Sequence, residues 1–292
     1  MSSGRSQAIV VVASVSFAIS TMTVCVRCFV RYHLVRAFGW DDVSMLLASI
    51  FNIGTTVCSI SCAKNGCGKS SGWLVEKRAY DPHRARLYWW LGQKFYIFVT
   101  IFAKISICVT LWRVAVRRAH NIILFILMGT TIVVSMLFFF ATVFECRPVS
   151  SFWNFDTHSD ACGGSHMVLI IAYLSSAIAA VTDFSLGLLP WFMVWDLQRA
   201  RWRKAGLALA MGLGCIAGLA VIARMPFLVR YQGDDFLDDI TPVVISANVE
   251  SGLGITAGSL ATLRPIVRFL RGETVRPPRR RRHTGKSTLL PA

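Results

Sequence analysis

Apolar residues fall along this chain in seven long blocks, separated by short polar connectors. The blocks cover residues 8–30, 43–63, 87–112, 122–144, 167–195, 205–229 and 242–263. Each is long enough to cross a hydrocarbon core of ~30 Å, which takes about 20 helical residues. Helix is the predicted form, because a helix satisfies its backbone groups within one segment. Strands of a membrane barrel would alternate in polarity over about 10 residues, and these blocks do not. The pattern predicts an all-α membrane protein, a seven-transmembrane helix bundle formed by residues 1–271. The first block runs longer than a cleaved leader and reads as a retained signal anchor. After the last block, Arg264, Arg268 and Arg271 alternate with Ile266, Val267 and Leu270. That spacing suits a short helix lying in the membrane interface over residues 264–271. Residues 272–292, with four arginines in a row at 279–282, read as a basic disordered cytosolic tail.

Composition agrees with a lipid environment. The chain is 54% apolar and only 16% charged, against about a quarter charged in a soluble domain. The net charge of +16 does not point to nucleic acid. Its cations sit in connectors and at block ends rather than along one folded face. Their distribution sets an orientation instead. With the N-terminus outside and the C-terminus cytosolic, eighteen Lys and Arg lie on the cytosolic side and nine outside, the bias that membrane insertion produces. The connector over residues 64–86 runs against it, carrying six basic residues on the outer side.

Charged groups inside the blocks carry the most chemistry. Each costs about 2.5–3.5 kcal/mol at a helix centre, so such groups are paired, wetted or functional. Arg27 and Lys94 lie near block ends, where long side chains can reach water. Lys104 and Asp183 lie near mid-depth, and Arg224 and Glu250 lie together in the outer third, by the ~1.5 Å rise per helical residue. Depth alone pairs Lys104 with Asp183 and Arg224 with Glu250. These four residues form the candidate ligand-binding or intramembrane polar network. The bland alternative is a set of buried ion pairs that only fix helix register. Asp41 and Asp42 open the second block on the cytosolic side. There they suit capping of free N–H groups and the helix dipole, with Arg31, Arg36 or Arg113 as counter-charges. Asp41, Asp42 and Arg113 are therefore expected to be structural.

Smaller features refine this picture. Gly214 with Gly218, and Gly254 with Gly258, are small-residue pairs that permit close helix approach. Gly187 and Pro190 should weaken or kink the fifth helix. Cys146 and Cys162 bracket a 15-residue loop, and a disulfide there suits an oxidising compartment; Cys67 and Cys62 compete for the same partners. No motif calls for a metal or a cofactor, and the seventh block contains no lysine for a Schiff base.

Several motifs fall in a recognisable order. They are Gly39-Trp40-Asp41-Asp42, Gly66 with Gly68, Lys104-Ile105-Ser106 with Arg113, and Cys146-Arg147-Pro148-Val149 with Trp153 and Cys162. Asp183 with Leu189-Pro190 follows, then Arg224, Glu250 and Leu263-Arg264-Pro265. In this the chain resembles the fungal rhodopsin-domain integral membrane family, including its satratoxin-cluster type. It is similar also to the membrane part of fungal CFEM receptor-like proteins. The resemblance implies seven helices, an outer disulfide between Cys146 and Cys162, and family positions at Asp183, Arg224 and Glu250. Two departures stand out. No cysteine-rich module precedes the first block, and Lys69-Ser70 follows Gly68 where a histidine is expected.

Two functions fit these observations, beside a third reading as a structural partner with no ligand. One is a receptor-like protein sensing a small extracellular or membrane-borne, lipophilic molecule and coupling to a cytosolic signalling partner. The other is a membrane enzyme or transport accessory acting on a lipophilic intermediate of a secondary-metabolite pathway, with Asp183 and Glu250 as acids. The orientation is checked by engineered glycosylation. An acceptor placed within residues 70–80 is expected to be modified and one in the last thirty residues is not; modification of both would refute the topology.

Overall fold

A computed structural model describes residues 2–35, 38–69, 81–113, 115, 117–154, 165–195, 201–228 and 236–262. Among these, seven long helices follow one another: α1 (Ser2–Phe29), α2 (Trp40–Asn65), α3 (Pro82–Trp112), α4 (Arg118–Val143), α5 (Ser165–Trp195), α6 (Arg201–Leu228) and α7 (Thr241–Thr262). A π-helical stretch, Val30–Val35, prolongs α1. Most helices begin several residues before their apolar block, because a helix continues through the polar interface once it is capped. In α3 the reason is explicit: the Asp81 carboxylate accepts from the backbone N–H groups of His83 and Arg84, and Pro82 occupies the first turn, where its missing N–H costs nothing.

Helices consecutive in the chain run antiparallel. The start of α1 meets the segment after α2: Gly68, at φ +83°, turns its backbone so closely against Ser6 that a side chain would collide there. The backbone N–H of Gly68 also donates to the Leu237 carbonyl just before α7, at 2.8 Å. Arg5 pairs with Asp238 at the same end. α7 packs against α1, α2, α3 and α6, and α5 lies between α4 and α6. The helix starts of α1, α3 and α7 thus share one end of the bundle, the Arg5 end.

Among the described residues, five helical segments are long and apolar enough to cross a membrane: Gly4–His33, Trp40–Asn65, Pro82–Trp112, Arg118–Val143 and Met167–Leu189; the part of α6 whose side chains are described, Gly212–Leu228, is a shorter apolar stretch. The chain is accordingly an all-helical, multi-pass membrane protein. Of the seven crossings expected from the blocks, five therefore carry a full apolar span among the described residues; α6 is described with side chains over only part of its length, and the remaining one is α7. That helix is central, and it buries Asn248, Glu250, Ser251 and Ser259, which lower its hydropathy while facing protein rather than lipid. The outward surface is apolar instead. Met22, Ile126, Leu137, Val181 and Leu219 are all more than half exposed, which bulk water would not tolerate as a continuous belt. Tyr32, Trp40, Trp112 and Trp191 are exposed at helix ends opposite the Arg5 end, the level where aromatic rings favour a membrane–water interface.

Small residues set the close approaches. A side-chain carbon on Gly214 would lie 3.3 Å from the Gly187 backbone, and one on Gly218 would lie 2.9 Å from the Phe184 ring, so α6 seats on α5. Gly258 is pressed by Met45 and Ile107, whereas Gly254 has nothing within 4 Å; only one member of that expected pair is a contact. α5 continues as helix through Gly187 and Pro190 to Trp195.

The end opposite Arg5 is tied by buried charge. Arg27 is 1% exposed. Its Nη2 donates to Asp41 Oδ2 at 2.9 Å, its Nε to Asp42 Oδ1 at 2.8 Å and its Nη1 to the Gly258 carbonyl at 2.8 Å. Arg31 Nη2 adds a bond of 3.0 Å to Asp41 Oδ2, and Arg113 Nη2 stands 2.7 Å from Asp41 Oδ1. One cluster therefore joins α1, α2, α3 and α7. Arg27 does not snorkel as its place near a block end suggested: two carboxylates and a carbonyl inside the bundle outcompete the interface. Asp42 also caps its own helix, accepting from the Gly39 N–H at 3.1 Å. Gly39 has a separate necessity, since a side chain there would occupy the place of the Arg113 guanidinium. Arg36 lies outside the described residues.

Cys62 and Cys67 form a disulfide at the Arg5 end. This pairing was not favoured from the sequence, where both cysteines stood only as competitors. Cys146 is disulfide-bonded too, and Cys162, its expected partner, lies outside the described residues, as do segments 264–271 and 272–292.

Removing one member of a fully buried ion pair costs about 3–5 kcal/mol, whereas an exposed pair is worth about 0–1 kcal/mol. Arg27→Met is therefore expected to abolish folded protein. Arg113→Met, at a side chain 44% exposed, should lower the melting temperature only slightly. Size-exclusion and thermal-melting profiles in detergent check the order, and equal effects would contradict the burial.

Candidate functional site

Polar residues recur at helical spacing on the inner faces of five helices. Gly92, Tyr96, Thr100 and Lys104 stand four apart on α3. Ala172, Ser175, Ser176, Ala179 and Thr182 follow at three- and four-residue steps on α5. Residues so spaced share a face. Together with Thr55 and Ser59 of α2, Thr131 and Ser135 of α4 and Asn248 of α7, they line a cavity of about 120 Å³ inside the bundle. A water needs roughly 10–15 Å³ on this measure, so the cavity has room for a small organic molecule.

Most of these hydroxyls spend their hydrogen on their own helix. Thr55 donates to the Phe51 carbonyl at 3.2 Å, Thr100 to Tyr96 at 2.7 Å and Thr131 to Leu127 at 2.8 Å. Backbone pairing of this kind lets Ser and Thr sit in an apolar interior without an orphaned donor. It also leaves oxygen lone pairs available to whatever occupies the space.

Two ion pairs close the cavity wall. Lys104 Nζ lies 2.9 Å from Asp183 Oδ1, and it donates to Thr182 Oγ1 at 2.8 Å and to the Ala179 carbonyl at 3.4 Å. These three acceptors match the three donors of an ammonium group. Arg224 Nη1 donates to Glu250 Oε2 at 3.2 Å and to Tyr96 Oη at 2.9 Å, while the Tyr96 hydroxyl donates to Glu250 Oε2 at 2.6 Å. The guanidinium also lies over the Tyr96 ring, 5.5 Å from its centre. One oxygen of each acid, Asp183 Oδ2 and Glu250 Oε1, is buried with no hydrogen-bond partner among the described residues. Both sites are buried, with Lys104 7% and Asp183 11% exposed, and Arg224 9% and Glu250 3%.

Lys94 was expected to snorkel from the outer end of α3. It is instead 8% exposed. It donates to Thr142 Oγ1 and lies over the Trp90 ring at 4.8 Å, where the ring face offers a lone ammonium partial compensation. Glu145, just beyond α4, faces it. Burial pushes the Glu145 carboxyl up to about 7, against the opposing pull of Lys94.

Asp41, Asp42 and Arg113 belong to the other end and contribute nothing to the cavity. Tyr96 and the Asn248 amide, which donates to Ser59 Oγ at 2.9 Å, are part of the wall, yet sequence reasoning passed over them. Their signal was the four-residue spacing of polar side chains within apolar blocks. Among the described residues, no group of three His, Cys, Asp or Glu side chains is placed to hold a metal ion.

Lys104→Met strands Asp183 as a buried, unpaired acid. It is expected to cost about 3–5 kcal/mol, whereas Lys104→Met combined with Asp183→Leu should regain most of that loss. Thermal inactivation in detergent measures both, and a double variant no better than the single one would show that the pair is not the coupled unit.

The pattern of buried charges can be compared with known proteins. The chain is 24% identical over 250 residues to "Fugralins biosynthesis cluster protein 2" of Gibberella zeae, an alignment covering 81% of this chain and 59% of that protein. It is 26% identical over 207 residues to a "SAT4 family membrane protein" of Emericella nidulans, covering 69% and 49% respectively. The chain thus spans about half the length of the curated relatives it matches. No solved structure matches it. The family model described as the fungal rhodopsin domain matches residues 26–269, a range that holds both charge clusters and the whole cavity, and the chain therefore belongs to the fungal rhodopsin domain family.

Proposed function

We propose that this protein is a receptor-like, seven-crossing membrane protein whose central cavity binds a small lipophilic molecule carrying hydroxyl or N–H donors. The carrying observation is the cavity wall. Its surface is mostly apolar, and its hydroxyls at Thr55, Thr100 and Thr131 have committed their hydrogens to helix carbonyls, so they receive hydrogen bonds more readily than they give them. In this reading the N-terminus lies outside. Two observations support that orientation: the bias of basic residues, and a disulfide at the Arg5 end, since such bonds persist in oxidising compartments. The exposed Trp and Tyr rings at the other end suit a membrane–water interface of either side.

A second reading has one observation in its favour, the name of the Gibberella relative as a biosynthesis cluster protein. In it the same cavity holds a pathway intermediate for conversion or transfer. In that reading Asp183 and Glu250, each sharing one oxygen with a buried cation and keeping the other unpartnered among the described residues, are the acids at the cavity wall.

Ala172, a small buried residue of the cavity wall, gives the test. Organic extraction and mass spectrometry of protein purified from its native host should recover one lipophile from the wild type and far less from Ala172→Phe. Identical spectra from both would end the binding proposal. If the intermediate reading holds instead, a deletion strain and an Asp183→Asn strain accumulate the same compound.

A further inference from the structure

Arg224 faces two hollows. One is the central cavity; the other is a groove of about 540 Å³ between α6 and α7, lined by Ala220, Ala223, Ile245 and Val249, with Asp238 and Asp239 at one end. Its α6 wall sets the small Ala220 and Ala223 beside Arg224 and Phe227, and Ala223 is exposed. The same helix presents Ile216, Leu219 and Ile222 to the outside, at 51%, 57% and 45% exposure, which places the opening at the lipid-facing surface. Arg224 is the side chain common to both walls.

The hold on that side chain is slender. Its bonds to Glu250 and to Tyr96 both run through Nη1. Glu250 keeps a second buried oxygen, Oε1, with no hydrogen-bond partner among the described residues. A carboxylate with a spare oxygen can receive a guanidinium in a two-pronged arrangement as well as a one-nitrogen one. The guanidinium therefore has an alternative seat on the same carboxylate and need not give up its counter-charge to move.

We propose that the groove between α6 and α7 is a lateral entrance. Uncharged, lipid-soluble molecules pass through it from the bilayer into the cavity, and Arg224 is the gate. An interior as closely packed as a protein's offers small molecules no passage without such a seam. This inference rests on the cavity being a binding site, but its test follows a reporter that needs no ligand, so the two stand or fall separately.

Cys58 is that reporter: it is a free thiol, 6% exposed, in the cavity wall. Cys25, a free and exposed thiol on α1, is the internal standard. Full-length protein in lipid nanodiscs is treated with N-ethylmaleimide, an uncharged thiol reagent, and modification of each cysteine is followed by peptide mass spectrometry. Ala223→Trp and Val249→Trp plug the groove from opposite walls and should each slow modification of Cys58 at least about fivefold relative to Cys25. Ile222→Trp, on the neighbouring lipid face, should leave the ratio within about twofold of wild type. Should one plugging variant fail to assemble, the other carries the same comparison. Unchanged Cys58 rates in the plugged proteins, or equal slowing by Ile222→Trp, would overturn the lateral entrance.

Discussion

A cation in hydrocarbon must find an anion, and this chain meets that demand by placing the anion on a different helix. Arg27 of α1 lies between Asp41 and Asp42 of α2 and also reaches a carbonyl of α7. Lys104 joins α3 to α5, and Arg224 joins α6 to α7 with Tyr96 of α3 between them. Apolar contact alone discriminates poorly among helices already in lipid, because lipid tails are as apolar as leucine. Ion pairs do discriminate. Their misplacement leaves a charge uncompensated, at a cost larger than most packing errors. The order of the helices and their relative heights follow from these few pairs.

Close packing by small residues then becomes permissive rather than directive. Gly39 leaves room for the Arg113 guanidinium, Gly214 and Gly218 let α6 rest on α5, and Gly258 receives Met45 and Ile107. The Gly39-Trp40-Asp41-Asp42 sequence can be understood residue by residue in these terms. The glycine admits an arginine, the tryptophan is exposed at the interface, the first aspartate collects three arginines, and the second holds Arg27 while capping its helix.

Much of this was legible in the chain, and what was not has a physical cause. Block length identified the helices, since hydropathy is a property of composition. The apolar signal is weakest in α7, because a central helix meets protein on most sides. Depth along each helix brought Lys104 level with Asp183 and Arg224 level with Glu250, and these are the pairs in contact. Rotation about the helix axis was not available from depth. For that reason Arg27 and Lys94 were expected to reach outward, although both turn inward. Tyr96 was overlooked because a single tyrosine within an apolar block looks like filler. Its role appears only when Thr100 and Lys104 are seen to share its face. The Cys62–Cys67 link was legible only as a competitor of Cys146–Cys162, because its two ends straddle the end of α2 and Cys62 reads as part of an apolar block.

The seven helices are unequally bound by these requirements. α4 buries only Leu124, Thr131 and Thr142, and its remaining surface touches lipid or partly covers its neighbours. Any apolar residue serves at most of its positions. α7 buries more than half of its residues, with Asn248, Glu250, Gly258 and Ser259 among them. Over evolutionary time α4 is free to drift among oily residues while α7 stays nearly fixed, so divergence between distant homologues should accumulate helix by helix at very different speeds.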